Sequence, residues 1–264
     1  MATFYTIPEL HTFWHDLLTI KSKFPFNRVE TAYLVHSRSM APYRRNKKLG
    51  VGEPRKQVLK FESIIEFMTE VIQKNAIGIQ RGGIYPYLGY SDEVSIFRKN
   101  QHIQLYAPLV FDLDINDYQA ERTCSCGKEK RVCNQCWKQV MVPHVRTLIE
   151  TVAQFGFTRY CIIFSGRRGV HIYYDIDATY DLLVEQRQLI VDSLPFKVDA
   201  DVTTNLYHLV KLPLSIHPQT GNVCQPLSLD LLDQFDVMKD PIHYRDVSSN
   251  MILHWIKEIK ESIF

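Results

Sequence analysis

Apolar residues recur at helical spacing in several separated stretches of the chain. Leu10, Phe13, Trp14, Leu17 and Leu18 predict an amphipathic helix over Pro8 to Leu18. Ser63 followed by Glu66 has the spacing of a capping box, opening a helix that runs to about Lys74 on Ile64, Ile65, Met68, Val71 and Ile72. Trp137 to Phe155 places Val140, Met141, Val145, Leu148, Val152 and Phe155 on one face, with Pro143 either kinking the helix or marking its first turn. Thr179 to Leu194 and Ser249 to Phe264 read as two more helices. Between them, short apolar runs predict strands at Ala32–Val35, Tyr106–Ile115, Tyr160–Phe164, Val170–Ile176 and Tyr207–Leu212. Helices and strands mixed in this way predict an α/β or α+β domain. With no repeat or flexible linker to cut it, the chain reads as one domain over 1–264.

Composition narrows the function classes. The 31 basic and 29 acidic residues leave a net charge of +2, so bulk charge cannot drive nucleic-acid binding and any basic surface must be local. Tyr43 to Lys60 is one candidate, with Arg44, Arg45, Lys47, Lys48, Arg55, Lys56 and Lys60 against Glu53 alone; it is equally a solvated loop. No apolar run approaches the ~18 residues of a membrane span, and the amino terminus shows no secretion signal, so no membrane role is expected. Six cysteines are too few for a secreted disulfide scaffold, and four of them crowd between Cys124 and Cys136.

Those four stand as Cys-x-Cys, six residues, then Cys-x-x-Cys. Four thiolates at this spacing can form a tetrahedral structural zinc site from Cys124, Cys126, Cys133 and Cys136, with no open position for substrate. A redox pair alone would leave Cys124 and Cys126 unexplained. Phe111-Asp112-Leu113-Asp114 ends an apolar run. On a strand, residues two apart share a face, so Asp112 and Asp114 project together while Phe111 and Leu113 face the core. Two carboxylates so close repel unless a hard cation such as Mg²⁺ or Mn²⁺ neutralises them; the bland alternative is the polar face of an edge strand. Ser165-Gly166-Arg167-Arg168-Gly169-Val170-His171 joins two strand candidates, offering donors on a turn where glycine permits close approach of an anion. An ordinary hairpin with exposed arginines is the other reading. Asp199, Asp201, His208, Lys211 and His217 follow, a further set that could complete a site for a metal and a triphosphate.

Taken in order, these motifs resemble the small, catalytic subunit of eukaryotic-type DNA primase, in the archaeo-eukaryotic primase superfamily. The resemblance runs from about Asn75 to Asp236. It rests on Phe-Asp-Leu-Asp-Ile-Asn-Asp-Tyr from Phe111, the cysteines ending in Cys136-Trp137, the Ser165–His171 turn, and the stretch from His208 to Gly221, with Asp233-Gln234-Phe235-Asp236 downstream. It implies a catalytic core of mixed sheets flanked by helices, with a zinc-binding insertion over 121–137. It implies two-metal nucleotidyl transfer that makes short RNA primers on a single-stranded DNA template. Asp112, Asp114 and Asp199 would ligate two Mg²⁺ or Mn²⁺ ions, with Asp201 a lesser candidate for the third ligand. Ser165, Arg167, Arg168, His171, Lys211 and His217 would hold the incoming nucleoside triphosphate. Expected partners are a large primase subunit and a replicative polymerase or helicase, in the nucleus or at a viral replication site.

Departures from the family pattern bear on specificity. Only 28 positions separate His171 from Asp199, where eukaryotic members carry a long helical insertion, and this compactness suggests a viral or otherwise reduced form. The first cysteine pair is spaced differently. Gln80 stands where an acidic residue commonly meets the ribose 2′-hydroxyl, which keeps open a primase-polymerase extending with deoxynucleotides. A non-catalytic, zinc-bearing nucleic-acid-binding subunit is the remaining alternative. The apolar side of Ser249–Phe264 would dock the large subunit or pack on its own domain.

Overall fold

A computed structural model describes residues 7–19, 26–35, 55–61, 76–86, 107–126, 132–179, 181–205, 210–217 and 220–264. Along the chain run α1 (Pro8–Thr19), β1 (Phe26–Val35), β2 (Arg55–Phe61), β3 (Ala76–Pro86), β4 (Val110–Asp114), α2 (Val142–Ala153), β5 (Tyr160–Phe164), β6 (Gly169–Tyr174), α3 (Val184–Asp192), α4 (Ala200–Thr204), β7 (Val210–Lys211), β8 (Pro226–Leu227) and α5 (Ser249–Ile263). They form two four-stranded sheets, ordered β2-β1-β3-β7 and β4-β6-β5-β8. Each strand pairing is antiparallel. The result is the expected α+β architecture of sheets flanked by helices.

The second sheet is covered on both sides, which explains why its strands are apolar almost throughout. Phe111, Leu113, Ile162, Phe164, Val170, Ile172 and Tyr174 share a core with Val145, Leu148 and Val152 of α2. From the opposite face, Val110, Cys161, Ile163 and Tyr173 pack with α1 and α5. That face stays apolar at one end only. Further along β4 and β6 it carries Asp112, Asp114 and His171 instead.

Leu10, Phe13, Trp14 and Leu17 of α1 are fully buried, as their spacing predicts. Pro8 suits the first helical position, where its missing N–H costs nothing. The apolar side of α5, from Ile252 to Ile263, is buried in the same core, and Lys260 Nζ meets Asp16 Oδ2 at 2.8 Å. That stripe is therefore a core surface of this chain, not a free docking face. Pro143 lies in the first turn of α2, and Trp137–Met141 leads into it as a wider turn.

Several elements differ from the sequence reading. The basic stretch read as a loop ends in β2, because Arg55–Phe61 pairs with β1 in a register that sets Val58 opposite Ala32 and Phe61 opposite Val29; 43–54 lie outside the described residues. β3 and α4 were not anticipated. The helix expected from Thr179 begins at Val184. Thr179 closes a single turn, Ile176–Thr179, where its hydroxyl donates to Asp175 O and accepts from Leu109 N. The Leu183 N–H then donates to Gln186 Oε1 at 2.8 Å, which starts α3. β4 stops at Asp114, whose carboxylate accepts from Asn116 N at 2.9 Å and turns the chain into Ile115–Glu121. The helix expected over Ser63 to Lys74, and His208, lie outside the described residues.

Candidate active site

Register alone sets Asp112 opposite His171, and Asp114 opposite Gly169, on neighbouring strands. Gly169 is required there: a Cβ would lie 2.3 Å from Leu113 O. Asp112 Oδ1 lies 3.6 Å from His171 Nε2. Asp199 arrives from a distant part of the chain as the N-cap of α4. Its N–H donates to Asp112 O at 3.4 Å, and its carboxylate accepts from Asp201 N at 3.2 Å. Thr203 Oγ1 donates to Val110 O at 3.0 Å, locking α4 against β4. Asp201 itself is exposed.

Burial pushes the Asp112 carboxyl up to about 7; Lys211 opposes the rise, while Asp114, Asp199 and Asp117 add to it. Mutually repelling carboxylates of this kind are suitable hard-oxygen donors for a divalent cation. They are not gathered tightly, however. Arg168 Nε donates to both oxygens of Asp114, at 2.8 and 2.9 Å. Residues read from the sequence as a metal ligand and a phosphate ligand thus face each other across the β4–β6 edge.

The turn between β5 and β6 is tightly held. Ser165 N donates to Gly169 O at 2.9 Å, and Gly169 N to Ser165 Oγ at 3.2 Å. Gly166 has φ +89°, and its carbonyl accepts from Thr220 Oγ1 and Asn222 Nδ2. Lys211 bridges the sheets: its Nζ donates to Ser165 O at 3.0 Å, while its carbonyl accepts from Tyr173 Oη at 2.6 Å. Burial, then the charge of Lys211, takes His171 down to about 3. His217 also falls to about 3 through burial and then Lys211, Arg167, Arg168 and His171. Both imidazoles are therefore neutral at pH 7 beside three fixed cations, an arrangement that an anion would relieve.

Gly166→Ala tests this packing. A Cβ would sit 2.6 Å from His217 Cβ on backbone that alanine rarely adopts. The variant is expected to lose about 1–3 kcal/mol of stability, read by thermal melting.

The four cysteines converge on one point. Sγ separations are 2.8 Å for Cys124–Cys126, 2.9 Å for Cys124–Cys136, and 3.5 Å for both Cys126–Cys133 and Cys133–Cys124. Among the described residues this is the one cluster of three or more metal-ligating side chains whose donor atoms all lie within 4.8 Å, and it could hold a metal ion. Arg122 Nη2 donates to Cys126 Sγ at 2.9 Å. Trp137 anchors the cluster to the core by donating to Leu232 O at 3.1 Å and meeting the Phe164 ring edge-on.

The structure therefore brings together Asp112, Asp114, Ser165, Arg168, His171, Asp199, Lys211 and His217, with Arg167 near enough to act on His217. Sequence reasoning missed Asp117, whose carboxyl is pushed up by burial and by Asp114 and Asp199. It also missed Asn116 and Arg122, and Thr220 and Asn222, which hold Gly166. Asp117 stands in the quoted Phe111–Tyr118 motif, the one signal that could have found it.

Residues 111–196 match the family model described as DNA primase small subunit. The DNA primase small subunit of Saccharomyces cerevisiae is 29% identical over 162 residues, covering 61% of this chain and 38% of that protein. The DNA primase small subunit of Drosophila melanogaster is 48% identical over 64 residues, 24% of this chain and 14% of that one. The DNA primase small subunit PriS of Thermococcus kodakarensis is 35% identical over 89 residues, 33% and 25% of the two chains. The chain thus matches well under half the length of these relatives. The polymerase domain from Mycobacterium tuberculosis Ligase D in complex with DNA superposes with a TM-score of 0.49 at 13% identity, covering 98% of this chain and 89% of that one, a likeness too loose to carry an argument. The matched segment, which holds Asp112, Asp114, Ser165, Arg167, Arg168 and His171, is similar to the DNA primase small-subunit family.

Proposed function

We propose that this chain catalyses nucleotidyl transfer, joining ribonucleoside triphosphates into short primers on single-stranded DNA. The observation that carries the reading is a polarised cluster: carboxylates from β4 and the α4 cap face a cationic turn completed by Lys211. Asp112, Asp114 and Asp199 are the residues that would hold Mg²⁺ or Mn²⁺, whose chemistry when bound is to acidify the attacking 3′-hydroxyl and neutralise the leaving pyrophosphate.

The remaining residues act on the triphosphate. Arg167, Arg168 and Lys211 supply its counter-charge. His171 and His217, neutral when the site is empty of phosphate, supply donors whose pKa rises as the anion arrives. Arg168 exchanges its hold on Asp114 for phosphate oxygen, which frees that carboxylate at the moment nucleotide enters. Gln80 lies opposite Lys211 in the β3–β7 register, which places its backbone beside that of the site's lysine. A neutral amide there supports a second reading, extension with deoxynucleotides, decided by relative incorporation of the two nucleotide types.

The cysteine cluster takes zinc in this reading: four sulfur donors at about 2.3 Å from one ion leave no open position, hence a structural role. The purified chain is expected to carry one equivalent of zinc, and Cys136→Ser to lose it and melt at lower temperature; metal analysis checks this. The chain works with a large primase subunit and a replicative polymerase or helicase at a nuclear or viral replication site. Among the described residues no helix is long and apolar enough to cross a membrane.

Calorimetric titration with ATP tests the reading. Binding is expected to need Mg²⁺ or Mn²⁺ and to weaken in Asp114→Ala. Binding indifferent to divalent cations would favour a nucleic-acid-binding subunit without catalysis.

A further inference from the structure

The phosphate-facing turn leaves one end of β5, and the other end carries an open main-chain edge. Along a strand the backbone groups of successive residues point to alternate sides. Arg159 O accepts from Asp175 N at 3.0 Å, toward β6, while Phe164 N donates to Gln225 O at 2.8 Å, away from it. Tyr160 and Ile162 therefore turn their N–H and C=O outward with Phe164. β8 covers Ile162, whose partner is Leu227. It then leaves the sheet, because Ser228 O accepts from Leu231 N, and Leu229 O from Leu232 N and Arg146 Nη2. Among the described residues nothing pairs with the main-chain N–H or C=O of Tyr160. Tyr160 lines a groove of about 420 Å³, with Asp230 on one wall and Glu258 and Glu261 of α5 on the other.

The groove is acidic on both faces of the sheet. Tyr160 packs on the α2 side and Cys161 on the α5 side. After burial, Asp230 is what raises the Tyr160 hydroxyl, and Glu258 does the same to the Cys161 thiol, so each acid flanks a different face. Nearby cations are engaged: Arg159 with Asp175 at 2.7 Å, Lys260 with Asp16 at 2.8 Å, and Lys257 with Glu261 at 3.8 Å. We propose that this edge docks an extended segment of a partner protein carrying two adjacent basic residues. An edge strand with unpaired main-chain groups is a template for a further strand. Successive side chains of the added strand point to opposite faces, so one basic residue meets Asp230 and its neighbour meets Glu258 and Glu261. The same acids repel the phosphates of a nucleic acid. Tyr160 and Phe164 are four steps of ~3.4 Å apart, so the docked segment sits about 14 Å from the phosphate-facing turn and leaves it open. The inference is independent of the nucleotidyl-transfer reading.

The probe is a fluorescently labelled, end-capped hexapeptide, Thr-Val-Lys-Arg-Val-Thr. It is titrated into the full chain by anisotropy, and hydrogen exchange at the Tyr160 amide is followed by NMR. The peptide is expected to bind and to slow that exchange by about tenfold or more. Asp230→Lys combined with Glu261→Lys should weaken binding by about tenfold or more, because attractive cross-strand pairs become repulsive. Both residues are exposed, so the fold tolerates the change. Glu258→Gln is an independent variant and should weaken binding about threefold. Main-chain pairing gives the sharper readout. N-methylation of whichever basic residue turns its N–H toward β5 should abolish binding, and N-methylation of the other should not. Equal binding by both N-methylated peptides, or undiminished binding to the double variant, reduces the contact to adsorption and overturns the proposal. No binding of the unmodified peptide overturns it as well. Exchange at Tyr160 that slows with protein concentration, without peptide, would mean that a second copy of this chain occupies the edge, and overturns it too.

Discussion

Asp112→Asn is expected to reduce nucleotide transfer by about 10³-fold or more while making the protein more stable at neutral and alkaline pH. Both effects come from one feature. The carboxyl is held among Asp114, Asp199 and Asp117 in a largely buried position, and its pKa rises from 3.8 to about 7. The folded chain then holds a proton that the unfolded chain has released between those two values. Stability must fall as pH climbs through that window, by the sign of the proton difference. An amide of the same shape has no proton to lose, so the variant escapes the fall. In buffer without Mg²⁺ or Mn²⁺, its advantage should be near zero at pH 4 and reach roughly 2 kcal/mol by pH 8, once the water reaching a 30%-exposed side chain is allowed for. Paired thermal melts across that range provide the measurement. A variant whose advantage does not grow with pH would contradict this account of the site, and one that keeps transfer activity would remove Asp112 from the chemistry.

Arg187→Met should have the largest effect on folding. Arg187 is 1% exposed. Its Nε donates to Leu182 O at 3.0 Å, and Nη1 to Pro108 O and Thr203 O at 3.2 and 3.3 Å. Its Nη2 reaches Thr179 O at 3.2 Å and Ala107 O. One side chain thus gathers the approach to β4, the turn before α3, and α4, the pieces that deliver Asp112 and Asp199. Methionine keeps much of the volume but leaves buried carbonyls without a donor. A loss of about 3–5 kcal/mol is expected, seen as a drop in the midpoint of urea unfolding. A variant within about 1 kcal/mol of wild type would show that water or a shifted chain replaces those donors.

The same residue shows where pattern reading stops. α3 was expected to bury its apolar residues, yet Leu183 and Leu189 are exposed and Arg187 is inside. A buried arginine that hydrogen-bonds five carbonyls leaves no periodic trace. By contrast, α1 and α5 were legible because their burial follows the helical period, and β5 because a strand covered on both faces is a continuous apolar run. Asp112 and Asp114 were legible as a pair for the same reason, with Phe111 and Leu113 on the opposite, buried face. The cysteine cluster followed from spacing. β2 was not legible: Arg55, Lys56 and Lys60 hide a strand that depends on partners in β1 twenty or more residues away. The glycines of β3 hid it likewise.

At the site, residue types were readable and their mutual contacts were not. Asp114 and Arg168 are 54 positions apart, and only the β4–β6 register brings them together. Arg122 belongs to no motif; its meaning comes from its contact with Cys126 Sγ.

The central claim is that the carboxylate face and the cationic turn form one nucleotidyl-transfer site. Its most direct test is template-dependent incorporation of labelled ribonucleotides by the purified chain, with single-stranded DNA and Mn²⁺, alone and with the large subunit. The account predicts short RNA products from the wild type and none above background from Asp112→Asn. Absence of products from the wild type under both conditions, or equal products from wild type and Asp112→Asn, would contradict it.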